Sequence, residues 1–249
     1  MKKLFYISAV AMLALTAAGC QQTNSNEDFS MVDASDFISP HPVVSQMDKQ
    51  ALSEEEAADL KYMREEEKLA RDVYLALYDK WGQKIFSNIA GSEQTHTDSV
   101  RYLLERYSLE DPVKDETVGV FINKDLQKLY TDLVERGSTS LADALFIGAT
   151  IEDLDIYDLK EAIARTDNED IKTVYENLMR GSRNHMRAFS RQLKRNGGSY
   201  EAQYLSQQEI DGILQGDNET GGMGAGMGKN QGNRGSGGGN VMGAGGGNR

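Results

Sequence analysis

Cysteine is almost missing, with one in 249 residues. A single thiol excludes a disulfide framework, a zinc ribbon and an iron–sulfur cluster held by one chain. Proline is nearly as scarce: three in all, and only Pro112 between residues 53 and 196. Little in that stretch would break a long helix. Positive charge is in deficit, with 27 Lys and Arg against 39 Asp and Glu, a net −12. Setting aside Lys2, Lys3 and the charged residues after Gly216 leaves 22 basic and 37 acidic residues, a net −15. Such a surface repels nucleic acid and anionic headgroups and is compatible with cations. No Gly-rich phosphate loop follows a strand pattern, which argues against nucleotide-binding enzymes.

The two ends differ from the middle. Residues 1–19 read as an export leader, with Lys2 and Lys3 ahead of an apolar stretch, Leu4 to Leu15, too short to span a bilayer. Leu15-Thr16-Ala17-Ala18-Gly19-Cys20 resembles the lipobox of bacterial lipoproteins. That resemblance implies cleavage before Cys20 and lipidation of Cys20. The protein would then be an exported bacterial lipoprotein, anchored on the periplasmic or cell-surface side with the membrane as its partner. Residues 20–52 are polar and read as a flexible tether. From Gly216 to Arg249, 15 of 34 residues are Gly and none is aromatic. This segment reads as a disordered tail, too poor in apolar surface to offset its ordering entropy.

Between the ends, residues 53–215 show helical punctuation and no strand-like alternation, which predicts an all-α bundle domain. The first long helix opens at Ser53, with Glu56 completing a capping box, and runs to Trp81 before Gly82. The second spans about Lys84 to Tyr107, the third Ser140 to Arg165, and the fourth Asn168 to the pair Gly197-Gly198. Shorter helices are predicted at Asn123–Arg136 and Ser206–Leu214.

Each long helix carries an apolar stripe at alternating steps of three and four, and polar residues break each stripe near its middle. The first has Glu67 between Met63 and Ala70. The second has Glu93 and His96, the third Glu152 and Asp155, and the fourth Ser182 and His185. Packed side by side, the four breaks meet at one level. Four carboxylates would then share a buried layer with no Lys or Arg at the stripe positions. Desolvated ions are costly unless compensated. Two divalent cations would compensate them, with His96 and His185 as neutral ligands. Taken singly, each residue has a plainer reading: a Glu at a stripe edge reaching water, or a hydrogen-bonded core His. A polar network in a metal-free interaction domain also stays open.

Glu67-Lys68-Leu69-Ala70-Arg71-Asp72-Val73-Tyr74 resembles the first metal-binding helix of rubrerythrins, and Ser92-Glu93-Gln94-Thr95-His96 resembles the second with its E-x-x-H spacing. Residues 53–196 thus resemble the ferritin-like superfamily. A bacterial ferritin-like domain family of unknown function is more similar still, through Ile151-Glu152-Asp153-Leu154-Asp155-Ile156-Tyr157-Asp158-Leu159 and Gly181-Ser182-Arg183-Asn184-His185. The resemblance implies a ferritin-like four-helix bundle whose long crossover, residues 108–139, carries a short helix. It implies metal ligation by Glu67, Glu93, His96, Glu152 and His185. Ser182 stands where the superfamily has a Glu, and Asp155, one turn after Glu152, is the candidate to replace it. The implied cofactor is a pair of non-haem Fe ions, or Mn, suited to oxygen and imidazole ligands. Similar sites reduce peroxide, activate O2 or oxidise Fe2+, and here the electron donor would be external. A non-catalytic metal-binding module is the alternative. Oligomeric state is left open, a homodimer included.

Overall fold

Ser53 starts the first long helix by reciprocal capping. Its hydroxyl accepts from the Glu56 N–H at 3.1 Å, and the Glu56 carboxylate accepts from the Ser53 N–H at 2.8 Å. In the computed structural model, which describes residues 41–220, this helix is the second of seven. A four-residue turn, α1 (His41–Val44), precedes it. Then come α2 (Glu54–Trp81), α3 (Lys84–Arg106), α4 (Lys124–Gly137), α5 (Leu141–Arg165), α6 (Glu169–Arg195) and α7 (Gln207–Gln215). The predicted helices are present with ends shifted by a residue or two, and no strand occurs among the described residues.

The turns follow from local chemistry. Gly82 takes φ +64°, the left-handed region open to glycine, and its N–H closes α2 onto the Tyr78 carbonyl at 2.7 Å. Asn123 caps α4 by accepting from the Asp125 and Leu126 N–H groups, and Ser140 caps α5 through the Asp143 N–H. Two short connections pair α2 with α3 and α5 with α6. The longer stretch between the pairs carries α4 across α2 and α5. This is an all-α helical bundle.

Two apolar clusters fill it. One holds Tyr74, Leu77, Phe86, Ile89, Leu145 and Phe189; the other holds Leu60, Met63, Leu103, Leu159, Tyr175 and Leu178. Along α2, α3 and α6 the boundary between them falls at the polar break in the stripe, and on α5 it falls just after it, between Ile156 and Leu159.

The ends behave differently from the sequence expectation where they can be described. Residues 41–52, expected as tether, lie against the bundle. Val44 is fully buried, the Met47 carbonyl accepts from Arg106 at 2.6 Å, and Gln50 accepts from the Glu169 N–H at 2.8 Å. Glu219, expected in the tail, pairs with Arg183 and with Arg187, the latter at 2.9 Å. The leader 1–19, Cys20, the tether before His41 and the Gly-rich stretch after Thr220 lie outside the described residues.

Candidate metal centre

Each long helix of the bundle delivers its mid-stripe polar groups to one buried layer. Glu67, Glu93, His96, Glu152, Ser182 and His185 are all 2% exposed or less. Glu93 on α3 stands at the middle. Its Oε2 lies 2.8 Å from His96 Nδ1, and its Oε1 lies 2.8 Å from His185 Nδ1. The first contact is within one helix, because E-x-x-H spacing places both groups on one face. The second crosses from α3 to α6. Glu67 Oε2 approaches His96 Nδ1 at 3.3 Å from α2, and Glu152 Oε2 approaches His185 Nδ1 at 3.5 Å from α5.

Two ligand triads result, Glu67–Glu93–His96 and Glu93–Glu152–His185, each with donor atoms within 4.8 Å of one another. Glu93 belongs to both. The imidazoles stack with centroids 5.5 Å apart. Glu67 Oε1 is buried without a hydrogen bond. Glu93 Oε1 and His185 Nδ1 make none either, although they stand close together. Buried polar atoms are normally satisfied, so these converging donors fit a cation better than they fit one another.

Asp155 lies in the same layer but in neither triad. Its Oδ2 accepts from the Ser182 hydroxyl, and its Oδ1 is buried without a partner. Tyr74 donates to the Glu152 carboxylate and touches the Gly148 carbonyl at 3.2 Å. Ser92, which the stripe analysis did not single out, lies 3.0 Å from His185 Nε2 and fixes that ring from behind. Its signal was faint: a small polar residue one turn before His96. On the far side, the α6 backbone packs directly on His96. A Cβ at Gly181 would fall 2.6 Å from His96 Nε2.

The electrostatics reflect a layer crowded with acids. Burial opposes ionisation of Glu93, yet the His96 and His185 imidazoles win and hold its carboxyl well below the usual range. Glu67 is pushed up to about 7 by burial, against the pull of His96 and with added repulsion from Glu93. Burial raises Glu152 against the pull of His185. Asp155 is driven well up by burial and then by Glu67, Glu93 and Glu152. Burial would lower His185, but Glu152 and Glu93 overcome it and raise the ring to about 9. His96 rises further, with Glu93 and Glu67 outweighing burial.

The basic residues lie elsewhere on α2. Lys68 and Arg64 are as buried as the core, beneath the crossover. Lys68 donates to Asp72 at 2.6 Å and to the Thr117 and Val120 carbonyls; Arg64 pairs with Asp111 and Glu116. These groups tie the crossover down and leave the acid layer without a fixed counter-charge.

A four-helix bundle with paired carboxylate–imidazole triads at its waist is the class of protein defined here. The chain belongs to the family described as "Uncharacterized protein domain (DUF2202)", which it matches over residues 56–217. It is 59% identical over 178 residues to the uncharacterized protein MJ0754 of Methanocaldococcus jannaschii, covering 72% of this chain and 96% of that protein. The crystal structure described as hypothetical protein MJ0754 superposes with a TM-score of 0.69 at 59% identity, over 70% of this chain and 99% of that one. The expectation of an exported, membrane-anchored bacterial lipoprotein is corrected by this relative. It is archaeal, and the match takes up nearly its whole length, so what the two proteins share is the helical domain and not a bacterial anchor. No helix among the described residues is long and apolar enough to cross a membrane.

Proposed function

We propose that the waist of the bundle is a dinuclear transition-metal site of the ferritin-like kind, loaded with two Fe or two Mn ions and used in redox chemistry with peroxide, O2 or Fe2+. One observation carries the reading: the two oxygens of Glu93 each stand 2.8 Å from a different imidazole Nδ1. Glu93, His96 and Glu67 would hold one cation, and Glu93, His185 and Glu152 would hold the other. Oxygen-rich donors with imidazole suit Fe or Mn over Cu(I) or a structural zinc. The metals would supply two-electron redox capacity at one buried place. The chain's residues do the rest. Glu67 and Glu152 add charge, Ser92 orients His185, Tyr74 fixes Glu152, and Asp155 with Ser182 offers a further oxygen beside the pair. Electrons for turnover would come from an external donor, since one cysteine cannot hold an iron–sulfur relay.

Anaerobic reconstitution with Fe2+, followed by metal analysis and addition of peroxide, tests the reading. About two Fe per chain with peroxide-dependent oxidation is the expected result. Bound metal without redox change would make the protein a metal-holding module. No bound metal, with thermal stability unaltered by Fe2+ or Mn2+, would overturn the site. The double variant Glu67→Ala with His96→Ala should lose metal uptake and keep its helicity. Stoichiometric metal in that variant would refute the ligand assignment.

A further inference from the structure

Glu66, next to the ligand Glu67 but turned to another side of α2, is the acid the site does not use. It is 4% exposed, and neither carboxylate oxygen has a hydrogen-bond donor. Its charged neighbours are acids. Burial, then Asp158, Asp155 and Glu67, push its carboxyl well above the usual range. Leaving such a group in the interior costs several kcal/mol unless a cation or a proton compensates it. A Glu kept there for packing alone would be better replaced by Leu or Met.

The placement of these acids has a direction. Asp158 and Asp155 sit one turn apart on α5, and α5 packs on α2. Asp158 is partly exposed, Glu66 is buried beside it, and Asp155 is buried in the layer of the triads. Tyr62 and Tyr204, both partly buried, sit around the outer end; the Tyr62 phenol feels burial, then Glu66 and Asp158. On α6 the Gly181 backbone lies directly on the His96 ring.

We propose that Asp158, Glu66 and Asp155 form a carboxylate relay that conducts divalent cations from the surface between α2 and α5 to the buried triads. The proposal rests on the metal-site reading above. Successive acids replace the hydration a cation loses on going inward, and no N–H donor occupies the Glu66 oxygens, which face the Asp158 carboxylate. Conduction requires that the intermediate position bind less firmly than the terminus. Glu66 meets this by belonging to neither ligand triad.

Stopped-flow uptake of Co2+ by the metal-free full-length protein, followed by Co2+ absorbance and final metal analysis, tests it. Glu66→Gln should slow uptake on the order of tenfold, within the range by which focused charge raises association rates, and should still reach the wild-type stoichiometry. Asp158→Asn should slow uptake in the same sense. Glu161→Gln, which removes an exposed acid elsewhere on α5, should not change the rate. An unchanged rate in Glu66→Gln overturns the relay, and so does a reduced stoichiometry, which would make Glu66 a resident ligand. If Glu66→Gln does not fold, Asp158→Asn carries the test alone, and an unchanged rate there overturns the relay. Wild-type protein that binds no Co2+ overturns the metal site itself, a different result from a fast-loading Glu66→Gln.

Discussion

Adding one methyl group at Gly181 tests whether α6 truly rests on the His96 ring. A Cβ there would lie 2.6 Å from Nε2 and 2.7 Å from Cε1, where ordinary contact begins at 3.4 Å. Something must move by about 0.8 Å, the difference between that limit and the shorter contact. The ring cannot move freely, being fully buried and held at Nδ1 by Glu93 at 2.8 Å and Glu67 at 3.3 Å. Overpacking of this kind costs about 1–3 kcal/mol. Replacing a mid-helix glycine by alanine returns about 1 kcal/mol through backbone entropy. Gly181→Ala should therefore cost between about 0 and 2 kcal/mol in the metal-free protein. Gly91→Ala on α3 is the matched control, since its Cβ would meet nothing within 4 Å. That variant should gain about 0.5–1 kcal/mol. At roughly 2–4 °C per kcal/mol for a chain of this size, the control should melt several degrees above Gly181→Ala. Metal binding should separate them further. Ligand atoms tolerate errors of only about 0.2 Å, so a displaced His96 should weaken loading of its triad on the order of tenfold or more. Thermal melts and metal titration of both variants read this out. Equal melting temperatures with equal metal affinities would refute the packing of α6 on His96.

Two other perturbations follow from the same geometry. Asp72→Asn should cost about 3 kcal/mol or more, because it removes the negative charge paired with the buried Lys68 ammonium at 2.6 Å. Faster amide exchange at residues 117–120 should accompany the loss, and an unchanged chemical-denaturation midpoint would contradict it. The pH dependence should reverse on loading. In the metal-free protein Glu67 is raised from 4.5 to about 7 and His185 from 6.5 to about 9. The His185 contribution is full below 6.5 and is lost as pH rises through 9; the raised Glu67 acid costs stability increasingly between 4.5 and 7. Both signs agree, so the metal-free Tm should fall from pH 5 to 9. Metal must displace the same protons, so affinity for Mn2+ should climb over that interval. A metal-free Tm that rises with pH would show that the acids are not packed as described.

The fold was legible because its signals are local. Ser53 with Glu56, Gly82 after Trp81, and Asn123 and Ser140 ahead of their helices each act within four residues. What the pattern could not show is that α2 is buried on every side from Met63 to Tyr74. A single stripe assumes one buried face. Here α3, α5 and the crossover each cover a different face, so Arg64, Lys68 and Asp72, which lie off the stripe, are interior. The same blind spot hid Glu66, also off the stripe. Glu65 accepts from the Ile122 and Asn123 N–H groups, while Glu66 faces Asp158.

The meeting of these polar groups in one layer was legible for a different reason. Each long helix breaks its own stripe, and a polar break at mid-height stands out whatever covers the other faces. The exchange at α6 is the exception that tests this logic. Against the ferritin-like pattern that the proposed function invokes, Ser182 leaves α6 one charge short, and Asp155 on α5 would restore it. The two are in contact, with the Ser182 hydroxyl donating to Asp155 Oδ2. A serine there is small enough to admit an aspartate from the facing helix and polar enough to hold it, leaving Oδ1 free of any hydrogen bond. The replacement does not reproduce the missing residue, since Asp155 stands outside both triads. On the proposed relay Asp155 joins the pair of triads to the outward acids, and a Ser182→Glu, Asp155→Ala exchange should uncouple the two: metal held at the waist, and slower loading.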